Sequence, residues 1–103
     1  MSNGNVLIVD DELNIRTMLE GILVEEDYRA YLASDWDEAK KILGNEKIDI
    51  ILLDVWLPKL GGMEILEILK TEFEAIEVVM ISGHGNIDMA VKAVKRGAYD
   101  FLE

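Results

Sequence analysis

The sequence predicts an α/β fold, an open parallel sheet of five strands with helices on both faces. Three observations predict it. Short unbroken apolar runs, Val6-Leu7-Ile8-Val9 and Ile50-Ile51-Leu52-Leu53, have the length and branching of strands buried on both faces. Between such runs lie longer stretches whose apolar residues recur at three- and four-residue spacing, the mark of amphipathic helices. The two kinds alternate along 103 residues, and strand–helix alternation builds a parallel sheet. That length suffices for one compact domain and is too short for two.

The first run stops at Asp10-Asp11-Glu12. Ile15, Met18, Leu19, Ile22 and Leu23 then mark a helix that ends at Glu25-Glu26-Asp27. Gly21 lies inside it at a cost in helix propensity, which suggests the close approach of another element. Residues 28–33 form a short strand. Ser34-Asp35-Trp36-Asp37 resembles a capping box, and the helix it opens carries Trp36, Ala39 and Leu43 as a narrow packing stripe before stopping at Gly44-Asn45. The next strand runs into Asp54 and is closed by Pro58. Gly61-Gly62 turns the chain into a third helix, marked by Met63, Leu66 and Leu69, that ends near Glu72. Residues 77–81 form a fourth strand, followed by Ser82-Gly83-His84-Gly85. Asn86 is a candidate N-cap for a helix bearing Ile87, Ala90, Val91 and Val94. Gly97 closes that helix, residues 99–102 begin a fifth strand, and the methionines read as core or gap-filling residues.

Five strands in this order fit the flavodoxin-like, doubly wound sheet, order 2-1-3-4-5. In that order the chain reverses direction between strands one and three, and a crevice opens beyond their C-terminal ends. Asp10 and Asp11 end strand one, Asp54 ends strand three, and Ser82 ends strand four.

Composition excludes several function classes. There is no Cys, hence no disulfide framework, thiolate metal site or thiol nucleophile. No signal peptide opens the chain, and no apolar run approaches the roughly 18 residues that span a bilayer. The expectation is a soluble, cytoplasmic domain without membrane contact. Ten basic against 21 acidic residues leave a net charge of −11, a surface that repels phosphate backbones and so disfavours direct nucleic-acid binding.

Three gathered carboxylates repel, at about 4 kcal/mol for each pair roughly 4 Å apart at an effective dielectric near 20. A cation is therefore expected among them. An all-oxygen set favours Mg²⁺, with Mn²⁺ as an alternative. Asp11 and Asp54 are the direct ligands expected, Asp10 acts through a bound water, and the backbone carbonyl of Trp56 completes the protein's share. Such a site suits phosphoryl transfer with Asp54 as nucleophile, the Ser82 hydroxyl then bonding a phosphoryl oxygen. Trp56 belongs at the mouth of the site, where its bulk limits water access to an acyl phosphate. The lone His84 reads as a loop residue, and Phe101 as a core residue on an outer strand.

Val9-Asp10-Asp11-Glu12, Leu53-Asp54-Val55-Trp56-Leu57-Pro58, Ser82-Gly83-His84-Gly85 and Gly97-Ala98-Tyr99-Asp100-Phe101-Leu102, in this order and spacing, resemble the receiver domain of bacterial two-component response regulators. The resemblance covers the whole chain and is greatest to the NtrC/NtrX class. It implies the CheY-like form of the fold and a phosphoacceptor role for Asp54, supplied by a histidine of a sensor kinase. It implies Mg²⁺ held by Asp10, Asp11 and Asp54, with Ser82 as the switch hydroxyl and Phe101 as the aromatic that changes rotamer with it. Receiver homodimers are the family's usual output, through the helix-four and strand-five surface. In the NtrC/NtrX class the receiver precedes an AAA+ ATPase acting on σ54 RNA polymerase and a DNA-binding domain. The family also has a Lys-Pro pair directly after the position of Glu103. Residues 1–103 are therefore expected to be a receiver truncated before that lysine and the fifth helix, with apolar surface exposed where that helix packs.

Three other functions compete. A Mg²⁺-dependent aspartyl-phosphate phosphatase of the haloacid-dehalogenase type needs an Asp two residues after the nucleophile, where this chain has Trp56. An FMN carrier needs a hydroxyl-rich phosphate loop where Asp10-Asp11-Glu12 stands. A receiver-like interaction module that is never phosphorylated stays open for a chain lacking the lysine. The expected protein is otherwise no enzyme beyond its own phosphorylation and dephosphorylation.

Overall fold

Five parallel strands form one sheet in the order β2-β1-β3-β4-β5. The computed structural model describes residues 2–82 and 87–102, and of residues 87–90 the backbone alone. Along the chain the elements are β1 (Asn5–Val9), α1 (Leu13–Glu25), β2 (Arg29–Ala33), α2 (Trp36–Asn45), β3 (Ile50–Asp54), α3 (Gly62–Glu72), β4 (Glu77–Ile81), α4 (Ile87–Lys95) and β5 (Asp100–Leu102). This is the doubly wound order predicted. His84 and the proposed cap Asn86 lie outside the described residues.

One face of the sheet carries the main core. Leu7 and Val9 of β1, Ile51 and Leu53 of β3, and Val78 and Met80 of β4 pack with Ala39 of α2, Ile65, Leu66 and Leu69 of α3, and Ala93 of α4. Right-handed crossovers place α2, α3 and α4 together here and put α1 on the opposite face. That second face is covered less. β1 is buried on both sides, but β3 alternates, with Ile51 and Leu53 buried and Ile50, Leu52 and Asp54 half-buried. The expectation of a β3 strand buried on both faces therefore fails. Helix α1 reaches β1 and β2 and leaves the other strands partly open.

The same geometry corrects the reading of α1. None of its residues is buried. Ile15, Leu19 and Leu23 are half-buried, while Met18 and Ile22 are exposed. Gly21 is exposed as well, and a Cβ there would meet nothing within 4 Å, so no described element approaches it. Among the described side chains of α4, Ala93 is buried, whereas Val91 and Val94 of the predicted apolar stripe face solvent; the side chains of Ile87 and Ala90 lie outside the described ones.

The α2 cap is displaced by one residue from the predicted box. Asp35, not Ser34, is the N-cap, its Oδ1 accepting from the Glu38 N–H at 2.9 Å. Glu38 Oε1 reaches back to accept from both the N–H and the hydroxyl of Ser34. The stripe itself is as expected, with Ala39 buried and Trp36 and Leu43 packed on the core.

Candidate functional site

The strand ends bring the acids together. Asp10 follows β1 and Asp54 is the last residue of β3, its neighbour across the sheet. One carboxylate oxygen from each of Asp10, Asp11 and Asp54 lies within 4.8 Å of the others. A hollow of about 500 Å³ lies over them, walled by Glu12, Ile15, Met18, Leu19, Trp56, Ile81 and Leu102. It is acidic on its floor and apolar on one flank.

Local bonding fixes Asp10 and Asp54. The Asp10 N–H donates to the Ala33 carbonyl at 3.1 Å, joining it to the end of β2. Asp10 Oδ1 accepts from the Glu12 N–H at 2.9 Å, turning the chain into α1. Arg16, one turn into that helix, donates from its guanidinium to the Asp10 carbonyl at 2.7 Å. Asp54 Oδ1 accepts from the Trp56 N–H at 3.1 Å. Directly behind Asp54, Gly62 begins α3 so closely that an added Cβ would stand 2.2 Å from the Asp54 carbonyl oxygen. Only a residue without a side chain lets α3 start there.

Burial and repulsion weaken the acidity of Asp10 and Asp54. Asp54 is pushed up from 3.8 to about 6, first by loss of hydration, then by the charges of Asp10, Asp11 and Glu12, against the lowering effect of the Trp56 N–H. Asp10 is raised too, again chiefly by burial, with Asp11 and Glu12 adding to it and Arg16 opposing. The two ion pairs found among the described residues, Lys40–Asp37 and Arg96–Glu67, lie elsewhere. A cluster of oxygens so placed fits a hard divalent cation: acid-only donors, close together at the ends of two strands.

Ser82 follows β4 with 1 % of its surface exposed; it and Asp10 are the buried polar residues among those described. Its N–H donates to the Leu102 carbonyl at 2.9 Å, and its Oγ accepts from the Trp56 indole N–H at 2.8 Å. Trp56 is half-exposed and lines the acidic hollow, at the mouth as expected. Phe101 is not in that hollow. It pairs with Met80 in the sheet and packs against the core, and it is its neighbour Leu102 that reaches the hollow. Arg16 was missed by the sequence reading, and Gly62 was read there as a turn residue without its close approach to Asp54. The Asp10–Arg16 spacing of six residues and the doubled glycine after Pro58 were the available signals.

Known proteins converge on the same picture. The family model for the response regulator receiver domain matches residues 6–103. The nitrogen assimilation regulatory protein NtrX of Azorhizobium caulinodans is 50% identical over 101 residues, 96% of this chain and 22% of that protein. The DNA-binding transcriptional regulator NtrC of Proteus hauseri is 32% identical over 102 residues, again across 22% of its length. The chain thus spans about a fifth of such relatives. The solution structure of the beryllofluoride-activated NtrC4 receiver domain dimer matches with a TM-score of 0.90 at 42% identity, over 96% of this chain and 82% of that one. The crystal structure of the receiver domain of NtrX from Brucella abortus matches with a TM-score of 0.89 at 43% identity, over 95% and 83% of the two chains.

Proposed function

This chain belongs to the response regulator receiver domain family, of the NtrX/NtrC type, and from that premise we propose that it is a phosphoacceptor switch in which Asp54 takes the phosphoryl group. Receiver domains are signalling switches rather than general catalysts. The observation that carries the assignment is the meeting of three carboxylates within 4.8 Å at the ends of two adjacent strands.

Asp54 is the acceptor because it ends the central strand and has one oxygen already oriented. The Trp56 N–H engages Oδ1, leaving Oδ2 to attack phosphorus. The new bond is Oδ2–P; the bond that breaks is P–N to the imidazole of a donor phosphohistidine, whose nitrogen keeps the electron pair and is then protonated. A carboxyl group raised to about 6 is still mostly ionised at neutral pH, and its loss of hydration makes it the more reactive nucleophile. Asp10, Asp11, Asp54 and the Trp56 carbonyl are the proposed holders of Mg²⁺, or Mn²⁺. When bound, that ion supplies positive charge to offset the transferring phosphoryl group.

Ser82 is the proposed partner of a phosphoryl oxygen and Phe101 the proposed responding aromatic, half-buried against the core on the strand whose Leu102 carbonyl holds the Ser82 N–H. The proposed partners are a sensor histidine kinase and a second receiver, the contact surface being α4 and β5. Exposed Val91 and Val94 support it. Because the chain spans about a fifth of its regulatory relatives, we assign it the receiver position ahead of AAA+ and DNA-binding domains in a σ54-dependent regulator. No described helix is long and apolar enough to cross a membrane; a cytoplasmic location is proposed with the rest.

Incubation of the protein with Mg²⁺ and acetyl phosphate, followed by intact mass measurement, tests the assignment. A single phosphoryl adduct is expected in the wild type and none in Asp54→Asn. An adduct that persists in the variant would place the acceptor elsewhere.

A further inference from the structure

Trp56 donates from both of its nitrogens. The backbone N–H reaches Asp54 Oδ1 at 3.1 Å, and the indole Nε1–H reaches Ser82 Oγ at 2.8 Å. One residue therefore ties the acid at the end of β3 to the hydroxyl at the end of β4. An indole N–H is a donor only, so the Ser82 oxygen accepts from it and the hydroxyl's single proton points away from the ring. The Ser82 main chain is held as well, by its N–H bond to the Leu102 carbonyl, which leaves rotation about χ1 as the means of moving the hydroxyl.

We propose that the Trp56 indole is a positioning group for Ser82: by occupying one lone pair of Oγ, it presents the hydroxyl as a donor to a phosphoryl oxygen on Asp54. The inference rests on the phosphoacceptor reading above and adds a residue to it. It separates two properties of Trp56 that bulk alone would merge. The half-exposed ring covers the mouth of the site, and phenylalanine would cover it nearly as well. The N–H that orders Ser82 belongs to tryptophan alone among the aromatic residues of similar shape.

A double-mutant cycle on beryllofluoride affinity separates these properties, because that ion is a stable stand-in for a carboxylate-bound phosphoryl group. Wild type, Trp56→Phe, Ser82→Ala and the double variant are titrated in saturating Mg²⁺ and followed by fluorine NMR. Loss of one oriented hydrogen bond corresponds to about two- to tenfold weaker binding in Trp56→Phe. The double variant should bind no more weakly than Ser82→Ala, since the indole then has no hydroxyl to order. Ser82→Thr, which keeps a hydroxyl, should retain the sensitivity to Trp56→Phe. If the two losses multiply in the double variant, or if Trp56→Phe binds like wild type, the positioning role is overturned and only the cover remains. If the wild type itself takes no beryllofluoride, the phosphoacceptor reading falls first and this inference with it.

Discussion

Replacing Asp54 by Asn should make the metal-free protein more stable at neutral pH. The native carboxyl group is raised to about 6 from 3.8, so between these values the folded protein keeps a proton that the unfolded chain has released. Stability must then fall as pH rises through that window, and the loss is complete above about 6. Each unit of displacement is worth about 1.4 kcal/mol, giving an upper limit of about 3 kcal/mol at pH 7.5. Partial exposure of the site screens this to about 1–2 kcal/mol. Asn is nearly isosteric, and its carbonyl oxygen can still accept the Trp56 N–H, so the substitution removes the charge while leaving the contact. For a domain of 103 residues the gain appears as a rise of about 5–10 °C in melting temperature. Melting curves in EDTA at pH 7.5 and pH 5 provide the check, with the advantage of the variant falling to about half at the lower pH. A variant that melts no higher than the wild type at pH 7.5, or whose advantage does not shrink on acidification, would refute the electrostatic account of this site.

Other perturbations probe separate parts of the structure. Adding millimolar Mg²⁺ should raise the melting temperature of the wild type and do so much less in Asp54→Asn, because ligand binding to the native state alone stabilises it; equal shifts would mean that the ion binds elsewhere. Gly62→Ala would drive a methyl group into the Asp54 carbonyl, and a loss on the order of 3 kcal/mol by denaturant unfolding is expected, with phosphoryl uptake reduced as β3 and α3 are forced apart. Gly21→Ala should do the opposite, gaining about 0.5–1 kcal/mol, since the helix is regular there and nothing described lies within 4 Å; a loss of stability would reveal a neighbour packed on that face. Asp35→Ala should cost about 1 kcal/mol through the lost cap of α2.

The strand runs and their terminal acids were legible because each is encoded locally, by apolar residues that break off at a charge. Asp10, Asp11 and Asp54 needed only the topology to be brought together, and the alternation of elements supplied it. What the sequence hid was set by packing partners. Periodicity marks an apolar stripe, but it does not tell how much of that stripe a neighbour covers; Met18 and Ile22 thus read as core yet lie exposed, and Ala93 rather than Val91 turns inward. The one-residue error at the α2 cap arose because Ser34 and Asp35 are both competent caps, and Glu38 decides between them by bonding Ser34. The Trp56–Ser82 contact joins residues 26 apart, a pairing that no local pattern announces.

Two amide-to-carbonyl steps lead from Asp54 to the outer edge of the sheet. The Val55 N–H meets the Ile81 carbonyl at 3.0 Å, and the next residue on, Ser82, meets Leu102 at 2.9 Å. A shift of the Ser82 backbone, beyond the χ1 rotation that moves its hydroxyl, must lengthen or re-aim the second of these bonds, and that tugs on an outer strand only three residues long. The rim is thus mechanically near the chemistry, with no intervening layer of side chains to absorb the motion. Deuterium uptake at the Ser82 amide, compared with that at Val55, would report how far such a pull travels.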